Sequence, residues 1–299
     1  MSAERRPRGA ALWALWLVTG ALLAAACSSG SARGGSAQGG SVSTAEKATT
    51  TTVAPTTTLA APQQPASRCG PPDERATLLR FASSDGVQLD AAMVGTGPAG
   101  VVLVHEYPAD LCGFWPFAVY LSHKGMRVLD LDVRCFGLST CPDGDARANV
   151  IDDVAAAAGE LRRHGAKRVA LIGASMGGAA VLVAGATLRP PVAAVVSLSG
   201  ESDPSSVVGL PVHTLNAGAA VTRLTSPTMF VVATDDRYAS VEETRAMYRA
   251  TRATDKRIEV LSGANTGLHG WALLSDSEGR SWTPVAARIA AFVLDHTAA

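Results

Sequence analysis

The chain runs Val169-Ala-Leu-Ile-Gly173-Ala-Ser175-Met-Gly177-Gly178 and then into an Ala/Val/Leu segment that continues to residue 188. A short apolar run of strand character ends in Gly-x-Ser-x-Gly, and a helix-prone stretch follows at once. This pattern limits the fold strictly, because a strand must turn sharply into a helix around Ser175. A side chain at 173 or 177 would clash with neighbouring backbone, and glycine tolerates both the angles and the close approach. The helix opening behind Ser175 points free N–H groups at any negative charge that develops there. So short a pattern also reads as an ordinary Gly/Ser turn, and the flanking elements decide between the two.

Those elements alternate. Residues 77–81 and 87–94 flank Ser84-Asp85-Gly86, which is hairpin chemistry. Residues 100–105 are branched and uniformly apolar, as in a strand buried on both faces. A helix over 115–124 and a strand over 127–132 follow. Then come a helix over 149–164 stopped by Gly165, a strand over 168–172 and a helix over 176–188. Strands over 192–198, 228–233 and 256–261 alternate with a helix over 241–252, and a proline-started helix over 284–295 closes the chain. Such an order predicts an α/β domain with a mostly parallel sheet covered on both faces. Active groups then collect in loops beyond the carboxyl ends of the strands, where Ser175 lies.

The amino-terminal region has a different character. Arg5, Arg6 and Arg8 precede an apolar stretch over 10–26, and Ala24-Ala25-Ala26 precede Cys27. This reads as a secretory signal (residues 1–27), and it resembles the lipobox of bacterial lipoproteins, with Ala24 where Leu is commoner. The resemblance implies lipidation of Cys27 and an exported, membrane-anchored protein; an ordinary cleaved signal, giving a secreted one, is the alternative. Residues 28–68 are Ser, Gly, Thr, Ala, Pro and Gln with almost no large apolar residue, and read as a disordered tether. The remainder, 69–299, fits one domain.

The 26 basic and 26 acidic residues balance, and no basic run points to nucleic acid. Besides Cys27 the chain has Cys69, Cys112, Cys135 and Cys141. An even number in an exported protein predicts two disulfides, with three connectivities open. No Cys-x-x-Cys or paired histidine supports a zinc site, so the sequence asks for neither metal nor cofactor.

A serine hydroxyl is a poor nucleophile and needs an adjacent base oriented by a third group. Both appear downstream, in the order Ser…Asp…His. Asp235 and Asp236 end one strand, and Leu261-Ser-Gly-Ala-Asn-Thr-Gly-Leu-His269-Gly270 follows the last.

On these residues the region from about 76 onward resembles the α/β-hydrolase fold. Gly173-Ala-Ser175-Met-Gly177-Gly178 is similar to the family's nucleophile elbow. The stretch from Asp130 to Ser139 is similar to its Asp-x-Arg-Gly-x-Gly-x-Ser, with Cys135 in place of a glycine. The family spacing makes Asp236 the acid, with Asp235 the alternative, and His269 the base. His105 is expected to be structural, His123, His164 and His296 solvated, and His213 an outside candidate. The Met176 amide follows the nucleophile as one oxyanion donor. His105-Glu106-Tyr107-Pro108 resembles the Gln-Glu-Ile of dienelactone hydrolases, which implies that the Tyr107 amide is the second donor and that Glu106 lies near the nucleophile. Alternatively Glu106 pairs with Arg134. By the same family layout the loops after the third and fourth strands are neighbours, which implies that Cys112 can pair with Cys135 or Cys141. Trp115, Phe114 and Phe117 either line an acyl pocket or belong to the core.

The segment 199–227 is short for a cap, so no large lid and an open site are expected. The leading expectation is a membrane-tethered extracytoplasmic serine carboxylesterase, monomeric, acting on small or exposed esters. A lactone hydrolase of the dienelactone type, a peptidase or acyltransferase using the same triad, and a non-catalytic surface-binding lipoprotein are the alternatives.

Overall fold

Branched apolar runs that read as buried strands form the interior of one sheet. The computed structural model describes residues 64–204, 215–276 and 281–298. The expected signal with Cys27, the expected tether up to residue 63, and His213 lie outside the described residues. Eight strands are ordered β1-β2-β4-β3-β5-β6-β7-β8. They are β1 (Thr77–Ala82), β2 (Gln88–Val94), β3 (Ala99–Val104), β4 (Arg127–Asp132), β5 (Arg168–Ala174), β6 (Ala194–Leu198), β7 (Thr228–Ala233) and β8 (Lys256–Leu261). The expected hairpin is β1–β2. It joins the sheet through antiparallel pairing of β2 with β4, and every later pairing is parallel.

Each face of the sheet has its own apolar layer. Helices α3 (Val150–Arg163), α4 (Met176–Thr187), the short α5 (Ala217–Ala220) and α6 (Val241–Ala250) cover one face. Helices α2 (Trp115–Ser122) and α7 (Pro284–Thr297) cover the other. The strands alternate strictly between the two layers: Leu129 and Leu131 enter the first, while Val128 enters the second. Phe114, Trp115 and Phe117 are fully buried in the second layer, so they belong to the core and not to an acyl pocket.

Residues 64–68, expected to belong to a tether, are part of the folded domain. Residues Pro65–Cys69 form a short helix, α1. The Arg68 guanidinium donates to both oxygens of buried Asp132 at 2.8 and 2.7 Å, and the Gln64 side chain bonds the backbone of Ala76 in both directions. Cys69 pairs with Cys112, and Cys135 with Cys141. Two disulfides therefore form, but the pairing of Cys112 with 135 or 141 does not. Cys112 is instead the anchor for the segment entering the domain.

Arg134 is buried between Asp85, at 2.6 Å, and Asp153, at 2.6 Å. Its guanidinium is thus saturated by the β1–β2 turn and by α3, and the expected Glu106–Arg134 pair is not made. No helix among the described residues is long and apolar enough to cross a membrane.

Candidate active site

The turn after β5 has the form the glycines predict. Ser175 caps α4 with φ 50° and ψ −116°, a left-handed conformation rare for a residue with a Cβ. A Cβ at Gly173 would lie 2.1 Å from the Gly177 carbonyl oxygen, and one at Gly177 would lie 2.1 Å from that of Val104. Only hydrogen fits at either position, and α4 can therefore press against the end of β3. Ser175 is held above the sheet with its amide donating to the Leu198 carbonyl at 2.9 Å.

Two further strand ends face this turn. After β7, Asp236 accepts from the amides of Tyr238 and Ala239 at 3.0 and 3.1 Å. After β8, the chain brings His269 back so that Nδ1 lies 2.8 and 3.0 Å from the two Asp236 oxygens. A donor is required at that nitrogen, which leaves Nε2 as the acceptor of a neutral ring. Asp236, and not Asp235, meets the histidine: Asp235 is exposed at φ 58°. Burial opposes the charge on Asp236, but hydrogen bonds from His269, Ser199 and the two amides outweigh it and hold the carboxyl below its ordinary value. Burial likewise disfavours protonated His269. The bond to Asp236 and the charges of Asp236, Glu106 and Glu201 reverse that, and its pKa is raised.

Ser175, His269, Glu106, Tyr107 and Tyr238 share one cavity of about 430 Å³. Glu201 is also in its wall, and it was not singled out from the sequence. The Ser175 hydroxyl donates to Glu201 Oε1 at 3.4 Å, and no Ser175–His269 hydrogen bond forms in this structure. Glu201 reaches this place through a tight turn after β6. Ser199 has φ 49°, its hydroxyl accepts from the Gly270 amide at 3.1 Å, and a Cβ at Gly200 would lie 2.2 Å from Ser197 Oγ. The Ser-Gly-Glu sequence immediately after an apolar strand was the available signal.

Glu106 adjoins the histidine loop. Its Oε2 would be 1.8 Å from a Cβ on Gly270, whose φ of 56° itself favours glycine. That oxygen is buried without a hydrogen-bond partner. Burial, only partly offset by His269 and a bond from the Trp271 backbone, pushes the carboxyl up to about 7.

The remaining histidines lie elsewhere. His105 is fully buried, with Nδ1 2.9 Å from the Glu106 carbonyl and Nε2 accepting the Val133 amide at 3.2 Å. Burial lowers its pKa, so it is neutral and joins two strand ends. His123 is exposed beside Glu74, and His164 bonds Glu160. His296 is not solvated as expected: its ring is mostly buried between the Phe292 carbonyl and Asp255. Among the described residues no group of three or more His, Cys, Asp or Glu is placed to hold a metal ion.

A family model described as the alpha/beta hydrolase fold matches residues 100–215. No curated protein matches the chain by sequence. Among solved structures, an esterase of Pyrococcus furiosus is similar at 17% identity and a TM-score of 0.62, over 75% of this chain and 93% of that one. A monoacylglycerol lipase of Paleococcus ferrophilus is similar at 17% identity and 0.56, over 70% and 99%. A thermophilic esterase of Thermogutta terrifontis is similar at 18% and 0.57, over 74% and 100%. Sheet order, elbow and structural likeness agree: the chain has the α/β-hydrolase fold.

Proposed function

We propose that the protein is a serine hydrolase of carboxylesterase type, acting on small or exposed esters through an acyl-enzyme. The observation that carries this reading is the Asp236–His269 pair, whose histidine lines the same cavity as Ser175, itself strained at the start of α4. A turn of Ser175 χ1 takes its hydroxyl from Glu201 toward His269; resting sites often hold such groups loosely. Ser175 Oγ then attacks the ester carbonyl while Nε2 takes its proton, and Asp236 stabilises the imidazolium. The Met176 and Tyr107 amides are assigned to the oxyanion, each worth on the order of 3 kcal/mol of barrier. Collapse returns the proton from His269 to the leaving alcohol. Water, deprotonated by the same nitrogen, then releases the acid from Ser175.

The basic, apolar and Ala-Ala-Ala-Cys27 sequence supports export and anchoring through a lipidated Cys27, with residues 28–63 as the tether. The similarity to esterases and a monoacylglycerol lipase supports ester over peptide substrates. The test is labelling of residues 64–299 by a fluorophosphonate, together with turnover of p-nitrophenyl acetate. Both are expected in the wild type and lost in Ser175→Ala. Absence of labelling in the wild type, or turnover that survives Ser175→Ala, refutes the assignment.

A further inference from the structure

Ester hydrolysis as such needs one carboxylate, that of Asp236. Two more acidic side chains line the same cavity. Glu201 Oε1 accepts from the nucleophile itself at 3.4 Å, and Glu106 lines the same cavity with one oxygen buried and unpartnered. Neither is neutralised by a fixed cation. Arg134, the nearest candidate from sequence, is taken by Asp85 and Asp153. Burial, with the charges of Glu243 and Asp236, holds the Glu201 carboxyl above its ordinary value against His269 and the bond from Ser175, and a cation brought beside it relieves that. The cavity wall includes no Lys or Arg among the described residues, and it presents Tyr238 and Tyr107, 61% and 37% exposed. Carboxylates beside tyrosine rings form a surroundings that favours a cation.

The tetrahedral geometry of the reaction says which part of a substrate meets Glu201. Of the four groups on the attacked carbon, one is Ser175 Oγ, one is the oxyanion at the Met176 amide, and one is the leaving oxygen, which must face His269. The fourth is the acyl chain. A substituent on its α-carbon is three bonds from Oγ, within reach of the carboxylate that now touches Oγ. When Ser175 turns to His269, Glu201 loses its donor, and a substrate must supply a new one.

We infer that Glu201, with Glu106 in the wall of the same cavity, is a specificity-determining residue that binds an α-ammonium group, so that the substrates are aminoacyl esters. This rests on the hydrolase reading above. A different role for Glu201, electrostatic support of the His269 imidazolium, makes an opposite prediction, because it acts on every ester alike.

Alanyl and isobutyryl p-nitrophenyl esters differ only by ammonium for methyl at the α-carbon. In the wild type and in Glu201→Gln, kcat/KM is measured for both, and the change in their ratio removes the intrinsic difference in reactivity. The ratio should fall about 10- to 100-fold in Glu201→Gln, as for loss of a charged hydrogen bond, and Glu106→Gln should lower it in the same direction. An equal fall for both esters overturns the inference in favour of the imidazolium role. Binding of alaninamide against isobutyramide, followed by calorimetry on the same two proteins, reads the subsite without chemistry. Preference for alaninamide that is lost in Glu201→Gln sustains the subsite even if no ester is cleaved and the hydrolase reading fails. No preference in the wild type overturns the subsite even if esters are cleaved.

Discussion

Gly177→Ala tests whether contact between α4 and β3 places the nucleophile. The added Cβ would lie 2.1 Å from the Val104 carbonyl oxygen and 2.6 Å from that of His105, where ordinary contact begins at 3.4 Å. Both obstacles are backbone, and Val104 is hydrogen-bonded in the parallel β3–β5 and β3–β4 ladders, so neither can rotate away. The first turn of α4 must lift by more than an ångström. Overpacking of this kind costs about 1–3 kcal/mol, and with only main chain to yield the upper end applies. At about 2–4 °C per kcal/mol for a domain of this size, the midpoint should fall by about 6–12 °C. The lift also carries the Met176 amide away from the oxyanion, and a misplacement of about 1 Å can cost 10²-fold in turnover. Thermal unfolding and p-nitrophenyl acetate hydrolysis measure the two effects. Gly159→Ala is the control: on α3, its Cβ would meet only Arg163 Nη1, at 3.6 Å, and helix propensity should raise stability by about 1 kcal/mol. A Gly177→Ala protein with unchanged midpoint and turnover would refute the account of the elbow.

The Asp236–His269 pair sets the pH dependence. Catalysis needs neutral His269, whose pKa is raised, so kcat/KM should climb with pH along a limb displaced above the ordinary histidine value of about 6.5. Asp236→Asn should move that limb down and cut kcat on the order of 10⁴-fold; an unmoved limb refutes the pairing. The same pair contributes to stability. The His269 part is complete below about pH 6.5 and lost as pH rises through the raised value. The Asp236 part is present above about pH 4 and lost as pH falls through the lowered value. Replacing Cys69 and Cys112 by serine opens a loop of 43 residues and should cost about 4 kcal/mol by chain entropy. Opening Cys135–Cys141, six apart, should cost about 2 kcal/mol. Urea midpoints that rank the two in reverse would contradict this.

The fold was legible because its information is local. Residues 100–104 and 228–233 could be nothing but strands buried on both faces, and each strand end of the sheet was within a residue or two of its expected place. Gly173 and Gly177 announced a close approach before any neighbour was known. The disulfides were less accessible because connectivity is a property of three-dimensional neighbours. The family layout brought Cys112 toward Cys135, but α1 passes nearer and delivers Cys69. Composition also put the end of the tether too late. Residues 65–68 look like linker, yet Arg68 is held by the buried carboxylate of Asp132, a long-range contact that no composition window registers.

The site divides along the same line. Ser175, Asp236 and His269 stand in the loops after β5, β7 and β8, in positions that the order of elements defines. Glu201 stands on a turn whose path depends on the Ser199 backbone being left-handed and on Gly200 passing Gly178 at close range. Glu106 was expected near Arg134 or near the nucleophile, and the choice turned on the β1–β2 turn, whose Asp85 takes the arginine first. The triad proposed for Ser175, His269 and Asp236 follows from topology. The charge proposed to select the substrate follows from which arginine is already occupied, and that depends on loops far apart in sequence. The residues proposed to break bonds are therefore readable in this chain from order alone, whereas those proposed to choose the substrate become readable only when the unpaired carboxylates can be told from the paired ones.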